Sequence, residues 1–187
     1  MDVRSLPDRN SYRTMTTAEL RQAFLIERLF APGAVTMVYC DADRAVIGGA
    51  IPTDRPLLLE ASKSEMAAET FTERREVGLV NIGGPGAVRA GGTQYRLERK
   101  DMLYVGRGVN GIELSSATPS DPAAFYFVSF PAHAPLPTTL VKAVDAERNP
   151  IGTAEGAGRR TICKYIHPGG AKSCQLVMGL TDLESGN

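Results

Sequence analysis

Short apolar runs, broken by Gly, Pro, Asn or Asp, fill most of this 187-residue chain. Their pattern predicts β-strands at 35–40, 44–51, 57–59, 76–82, 87–90, 93–97, 102–105, 111–115 and 124–130. Strands recurring at roughly eight to twelve residues with turn signals between them indicate an all-β sandwich or barrel. One earlier stretch has a different period. Thr16-Thr17-Ala18-Glu19 places Glu19 where a capping box needs it, and Leu20, Phe24, Leu25, Ile26, Leu29 and Phe30 follow at three- and four-residue spacing. This predicts one amphipathic helix, ended by Pro32-Gly33 and packed on a sheet or a neighbouring subunit. From 131 to 158, Pro and Gly punctuate the chain and the pattern lapses, which reads as a connector with little regular structure. The β pattern restarts at 160–166 and 173–180.

Composition narrows the function. Lys and Arg number 21, as do Asp and Glu, so the formal net charge is zero and no basic field collects nucleic-acid phosphates. The longest apolar run, 123–130, is far too short to span a membrane. The polar, Asp-containing start is unlike a signal or transit peptide, and Cys40, Cys163 and Cys174 form no close pair. The expectation is a soluble cytoplasmic protein with reduced thiols.

The stretch Gly83-Gly84-Pro85-Gly86 invites comparison with a phosphate loop, but no Lys-Ser or Lys-Thr follows and a strand comes next. It is expected to be a turn in which Gly supplies positive φ. The wider spacing says more. Glu76, six intervening residues and Gly83 match the tail of the first cupin motif, whose two histidines fall here on Glu69 and Phe71 or on Thr70 and Thr72. The second motif's histidine falls on Gly111. The frame resembles a cupin barrel whose ligand positions have been replaced. Glu76, beside Arg74 and Arg75, then reads as a strand-end charge paired with a neighbour. His133, in an extended connector, and His167, before a turn, have no Asp or Glu at ligand spacing, so no metal site is assigned.

Six segments occur in one order: Gly48 to Pro52, Glu73 to Glu76, Asn81 to Gly86, Asp101 to Gly106, Arg159 to Ile162 and Ser173 to Thr181. Together they resemble the 5-keto-4-deoxyuronate isomerase family, the 4-deoxy-L-threo-5-hexosulose-uronate ketol-isomerases. The resemblance implies a mainly β, cupin-type (jelly-roll) barrel with an N-terminal helix, plus the opening strands of a second cupin barrel. The corresponding division is an arm and helix at 1–33, a metal-free barrel at 34–131, a connector at 132–158 and an incomplete second barrel at 159–187. It further implies a hexameric homo-oligomer that converts 5-dehydro-4-deoxy-D-glucuronate, a keto-uronate of pectin breakdown, to 3-deoxy-D-glycero-2,5-hexodiulosonate at zinc.

The family's zinc-ligand segment, Trp-Asn-Thr-Met-Pro-Cys-His-Thr-His, has no counterpart among these residues, so zinc belongs to the full-length family and no ligand carries over. The chain is expected to be a fragment or truncated product, inactive alone, with Ile162, Leu176, Met178 and Leu180 lacking partners. Strand alternation puts Arg160, Ile162 and Lys164 on one face and Thr161, Cys163 and Tyr165 on the other. The cations Arg160 and Lys164 suit a uronate carboxylate, and Gln175 a sugar oxygen; surface or subunit-interface charges explain the same residues. No spacing identifies a general base. The alternatives are a 5-deoxy-glucuronate isomerase of inositol catabolism, and a metal-free cupin scaffold or sugar-acid-binding module.

Overall fold

A computed structural model of the protein describes residues 1–60, 63–153 and 158–184. Fourteen strands dominate it: β1 (Asp2–Arg4), β2 (Val35–Cys40), β3 (Val46–Ala50), β4 (Leu57–Leu59), β5 (Arg75–Asn81), β6 (Gly86–Ala90) and β7 (Thr93–Leu97), then β8 (Met102–Val105), β9 (Ile112–Ser116), β10 (Phe125–Pro131), β11 (Thr139–Val141), β12 (Glu147–Ile151), β13 (Arg160–Ile166) and β14 (Met178–Leu183). Two short helices accompany them, α1 (Thr17–Phe24) and α2 (Lys63–Met66).

The strands form three sheets: a seven-stranded sheet in the order β1-β2-β3-β10-β5-β8-β11, a four-stranded sheet β4-β9-β6-β7, and a three-stranded sheet β12-β13-β14. Alternate residues of the central strands, including Val77, Leu79, Leu103, Phe125 and Phe127, meet Leu57, Leu59, Val88, Leu97 and Leu114 of the four-stranded sheet in one apolar core. This is the expected jelly-roll sandwich, although its sheets stay open at their edges instead of closing into a barrel.

A second core lies on the opposite face of the central sheet. There Val80, Met102 and Tyr104 pack with Cys163, Tyr165, Ile166 and Leu176. The central sheet is therefore covered on both faces, and all seven residues of β5 are buried. This corrects the expectation that Leu176, Met178 and Leu180 lack partners, while Ile162 is half-buried and stands outside this core. Leu176 is fully buried, and Met178 and Leu180 pack against the same core. Gly78 makes the close approach possible, because a Cβ there would lie 2.6 Å from Leu176 Cδ2, 2.8 Å from Met178 Sδ and 2.9 Å from Ile166 Cδ1.

Three further expectations are corrected. The helix is capped as expected, with Glu19 N–H donating to Thr16 Oγ1 and the Glu19 carboxylate accepting from Thr16 N–H, but it ends at Phe24. Leu25 is extended, and Arg4 Nη1 donates to its carbonyl at 2.6 Å. No residue of α1 is buried, and Phe24, Leu25 and Phe30 remain substantially exposed. The segment expected to be irregular carries β11, paired with β8, and β12, paired with β13. Asp101 fixes it by accepting from Ala143 N–H at 2.8 Å and from Lys142 Nζ at 2.7 Å. The glycines of the 83–86 turn do not adopt positive φ. They are small for contact instead: a Cβ on Gly83 would lie 2.5 Å from Ala124 N, and one on Gly84 2.3 Å from Asp121 O. Asn81 holds the turn, donating from Nδ2 to the carbonyls of Gly84 and Leu97 and accepting from the N–H groups of Gly83 and Ala124. Among the described residues no helix is long and apolar enough to cross a membrane.

Candidate functional site

Glu76 occupies the second face of the central sheet, the side to which Val80 also points, while Val77 and Leu79 enter the sandwich core. Its side chain is fully buried. One carboxylate oxygen accepts from the Tyr104 hydroxyl at 2.8 Å and from Cys174 N–H at 2.7 Å. The other accepts from the N–H groups of Gln175 and Leu176 at 2.7 and 2.8 Å. Burial alone raises the pKa of a carboxyl group, but these four donors outweigh it and hold Glu76 below the ordinary value of 4.5. The Tyr104 phenol moves the opposite way, raised by burial and by donating to the carboxylate.

Glu76 is thus an anchor for the loop before β14, and the expected charge pairing with its neighbours does not form. Arg74 lies 3.4 Å from Glu73. Arg75 turns away, with Nε donating to Ser129 Oγ and Nη2 to the carbonyls of Arg44 and Ser129. A carboxylate at the head of an apolar strand buried on both faces is the signal that marks Glu76; the arginines beside it in the sequence conceal it.

The positions of the motif's histidines converge, although Glu76 faces the other side of the sheet. Glu69, Thr70, Phe71, Thr72 and Gly111 line one cavity of about 340 Å³ at the mouth of the sandwich. Its lining is mixed, with Leu59, Phe71 and Ile112 beside Glu60 and Glu69. Phe71 is buried and meets Phe127 edge-on, with ring centroids 6.3 Å apart and planes at 89°. Thr72 Oγ1 is committed to the Val109 carbonyl. An aromatic ring thus occupies one of the motif's histidine positions, and the hydroxyl at another is already committed.

Arg160 and Lys164 share one face of β13, and Cys163 and Tyr165 are buried on the other. Lys164 Nζ lies 2.6 Å from Glu147 Oε1 across the strand pair, which lowers the Glu147 pKa. Arg160 Nη1 donates to the Gly158 carbonyl at 3.3 Å. Gln175 precedes β14 on the loop held by Glu76 and its side chain is exposed. No hydrogen bond joins it to Arg160 or Lys164; the two cations share a strand face, each with its own partner. His167 Nε2 lies 3.6 Å from Glu147 Oε2, and His133 is exposed. Among the described residues no three His, Cys, Asp or Glu side chains cluster as metal ligands.

Comparison with known proteins places this geometry. Residues 25–187 match the family model described as KduI/IolB family. The chain belongs to the KduI/IolB family. Across its whole length it is 46% identical to a 4-deoxy-L-threo-5-hexosulose-uronate ketol-isomerase of Caldicellulosiruptor bescii and spans 67% of that relative. It is 41% identical over 188 residues to a protein of the same name from Pectobacterium carotovorum subsp. carotovorum, again across its whole length, and spans 68% of it. Among solved structures, an IolB-like protein of Salmonella typhimurium LT2 superposes with a TM-score of 0.50 at 17% identity, over 64% of this chain and 43% of that one. In a KduI/IolB-family chain the cupin-type, mainly β architecture is thus present, with the extra sheet β12-β13-β14 fastened to it through Glu76.

Proposed function

We propose that this protein serves a ketol-isomerase that converts 5-dehydro-4-deoxy-D-glucuronate to 3-deoxy-D-glycero-2,5-hexodiulosonate in pectin and hexuronate catabolism, acting in the cytoplasm as a homo-oligomer. The observation that carries this reading is identity of 41–46% to relatives named as ketol-isomerases, maintained along the whole chain. The chemistry is an internal redox exchange. A base removes the proton from the carbon that bears a hydroxyl beside a carbonyl, an enediolate forms, and a proton returns to the neighbouring carbon. No external oxidant or reductant is consumed, and developing negative charge on oxygen is what a site must stabilise.

What these residues supply is a cationic strand face. Arg160 and Lys164, on one face of β13, offer a uronate carboxylate charge-assisted hydrogen bonds, with Glu147 holding the Lys164 ammonium in place. The described residues do not fit a zinc site, since no three potential ligands converge. Zinc of the full-length family would need donors that these residues do not provide.

Calorimetry with 5-dehydro-4-deoxy-D-glucuronate, run beside a turnover assay and metal analysis, tests the reading. The expected result is binding that weakens about tenfold in Arg160→Gln and in Lys164→Gln, without turnover by the 187-residue chain. Binding unaffected by either substitution overturns the assignment of this face.

A further inference from the structure

A separate cavity of about 390 Å³ opens between the end of β2, the 64–68 turn and the start of β5. Arg44, Arg74, Arg75 and Tyr39 line it, with Met66 and Pro131 among its apolar walls. It shares no residue with the Arg160 and Lys164 face.

Arg75 is the unusual member. It is 7% exposed, yet among the described residues no carboxylate pairs with it. Nε donates to Ser129 Oγ at 3.1 Å, and Nη2 donates to the Arg44 and Ser129 carbonyls at 2.5 and 2.8 Å. These partners are all neutral. Among the described residues Nη1 makes no hydrogen bond and no fully buried side-chain nitrogen or oxygen lacks a partner, so Nη1 is not sealed off, and Arg75 lines the cavity. A buried guanidinium without a counter-ion is costly, and burial pushes its pKa down to about 10, partly offset by the neighbouring Tyr39.

The rest of the lining leaves that charge uncompensated. Glu65 is the carboxylate of the cavity wall, and it is ion-paired with the amino terminus of Met1. Arg44 is exposed at the rim. Its own φ of 53° and that of Asp43, 54°, are left-handed values that ordinary side chains avoid, so the corner holding the guanidinium at the rim is a specified conformation.

We propose that this cavity binds a small organic carboxylate of about monosaccharide size, its carboxylate received by Arg75 Nη1 and Arg44 and an oxygen of the ligand by the Tyr39 hydroxyl. The volume lies in the range of small-molecule sites, which begins at about 300 Å³. Planar carboxylate matches the guanidinium edge, and a carbon skeleton behind it covers Met66 and Pro131. Inorganic phosphate has no such skeleton and leaves those walls bare. The site stands independently of the isomerase reading.

Amide NMR of the 187-residue chain tests it, with D-glucuronate, D-glucose and inorganic phosphate as probes. D-glucuronate is expected to shift the amides of Tyr39, Arg44, Met66 and Arg75, whereas D-glucose, with the hydroxyls and no carboxylate, leaves them in place. Arg44→Gln, at an exposed position that does not threaten folding, should weaken this response about tenfold, while Arg160→Gln leaves it unchanged. Absence of shifts at these amides, or shifts insensitive to Arg44→Gln, overturns the site. Phosphate acting as strongly as D-glucuronate overturns the carboxylate assignment.

Discussion

The Tyr104 hydroxyl donates to Glu76 at 2.8 Å in a place where the central sheet meets the sheet β12-β13-β14. The phenol comes from β8, the carboxylate from β5, and the remaining three donors from the backbone of 174–176. A single carboxylate therefore ties together parts of the chain about a hundred residues apart.

Glu76→Gln should destabilise the protein nearly as much as Glu76→Ala. Both oxygens accept from N–H or O–H donors, so an amide NH2 at either place would face a donor. The expected loss is about 3 kcal/mol, read from urea denaturation followed by circular dichroism.

Tyr104→Phe should cost less, about 1–2 kcal/mol, because the carboxylate keeps its three backbone donors. The same denaturation experiment ranks the two substitutions, and a Tyr104→Phe loss exceeding that of Glu76→Gln would contradict the anchor.

Stability should fall in acid through Glu76. Its pKa in the folded protein is below the ordinary 4.5, so the unfolded chain takes up the proton first as pH drops. The contribution is complete above the ordinary value and is lost as pH falls through the folded-state pKa. Melting temperatures across that range should slope less steeply in Glu76→Gln than in the parent.

In alkali the tyrosines should separate. Burial raises the pKa of Tyr104, Tyr126 and Tyr165, the last to about 12, where nearby Cys163 adds to the effect. The neutral phenol is the form the fold favours, so this stabilisation is present below the ordinary value of 10.0 and lost as pH rises through the folded-state value. Ultraviolet titration should show three phenols ionising late, and unfolding should release them together.

Gly78→Ala should loosen the third sheet. The new methyl would strike Leu176, Met178 and Ile166, whose side-chain ends can move at a cost of about 1–3 kcal/mol. Limited proteolysis should cut the 167–177 loop sooner than in the parent.

The sandwich was legible because its strands alternate and are punctuated, and most of β2 to β10 fall where that pattern puts them. The cupin-motif spacing also placed Glu69, Phe71 and Gly111 around one cavity. Two things escaped. Leu25, Ile26, Leu29 and Phe30 keep helical spacing, but Leu25 is already extended, so spacing overstated the helix beyond Phe24. Glu76 was misassigned because adjacent arginines in the sequence suggested partners, while its real donors are backbone groups about a hundred residues away, which no local pattern reports. Alternation in β13 correctly put Arg160 and Lys164 on one face, and it could not say that Gln175 stands apart on a loop.

The double coverage of the central sheet bears on how this protein can be divided. A break anywhere in 132–158 would strip one side of β5, β8 and β10, leaving Val80, Met102, Tyr104, Tyr126, Val128 and Phe130 facing water and the Glu76 carboxylate without its backbone donors. The stretch that looks like a seam between two modules is thus a poor place to cut, and any separately expressed jelly-roll half would have to carry β12, β13 and β14 with it to remain dissolved.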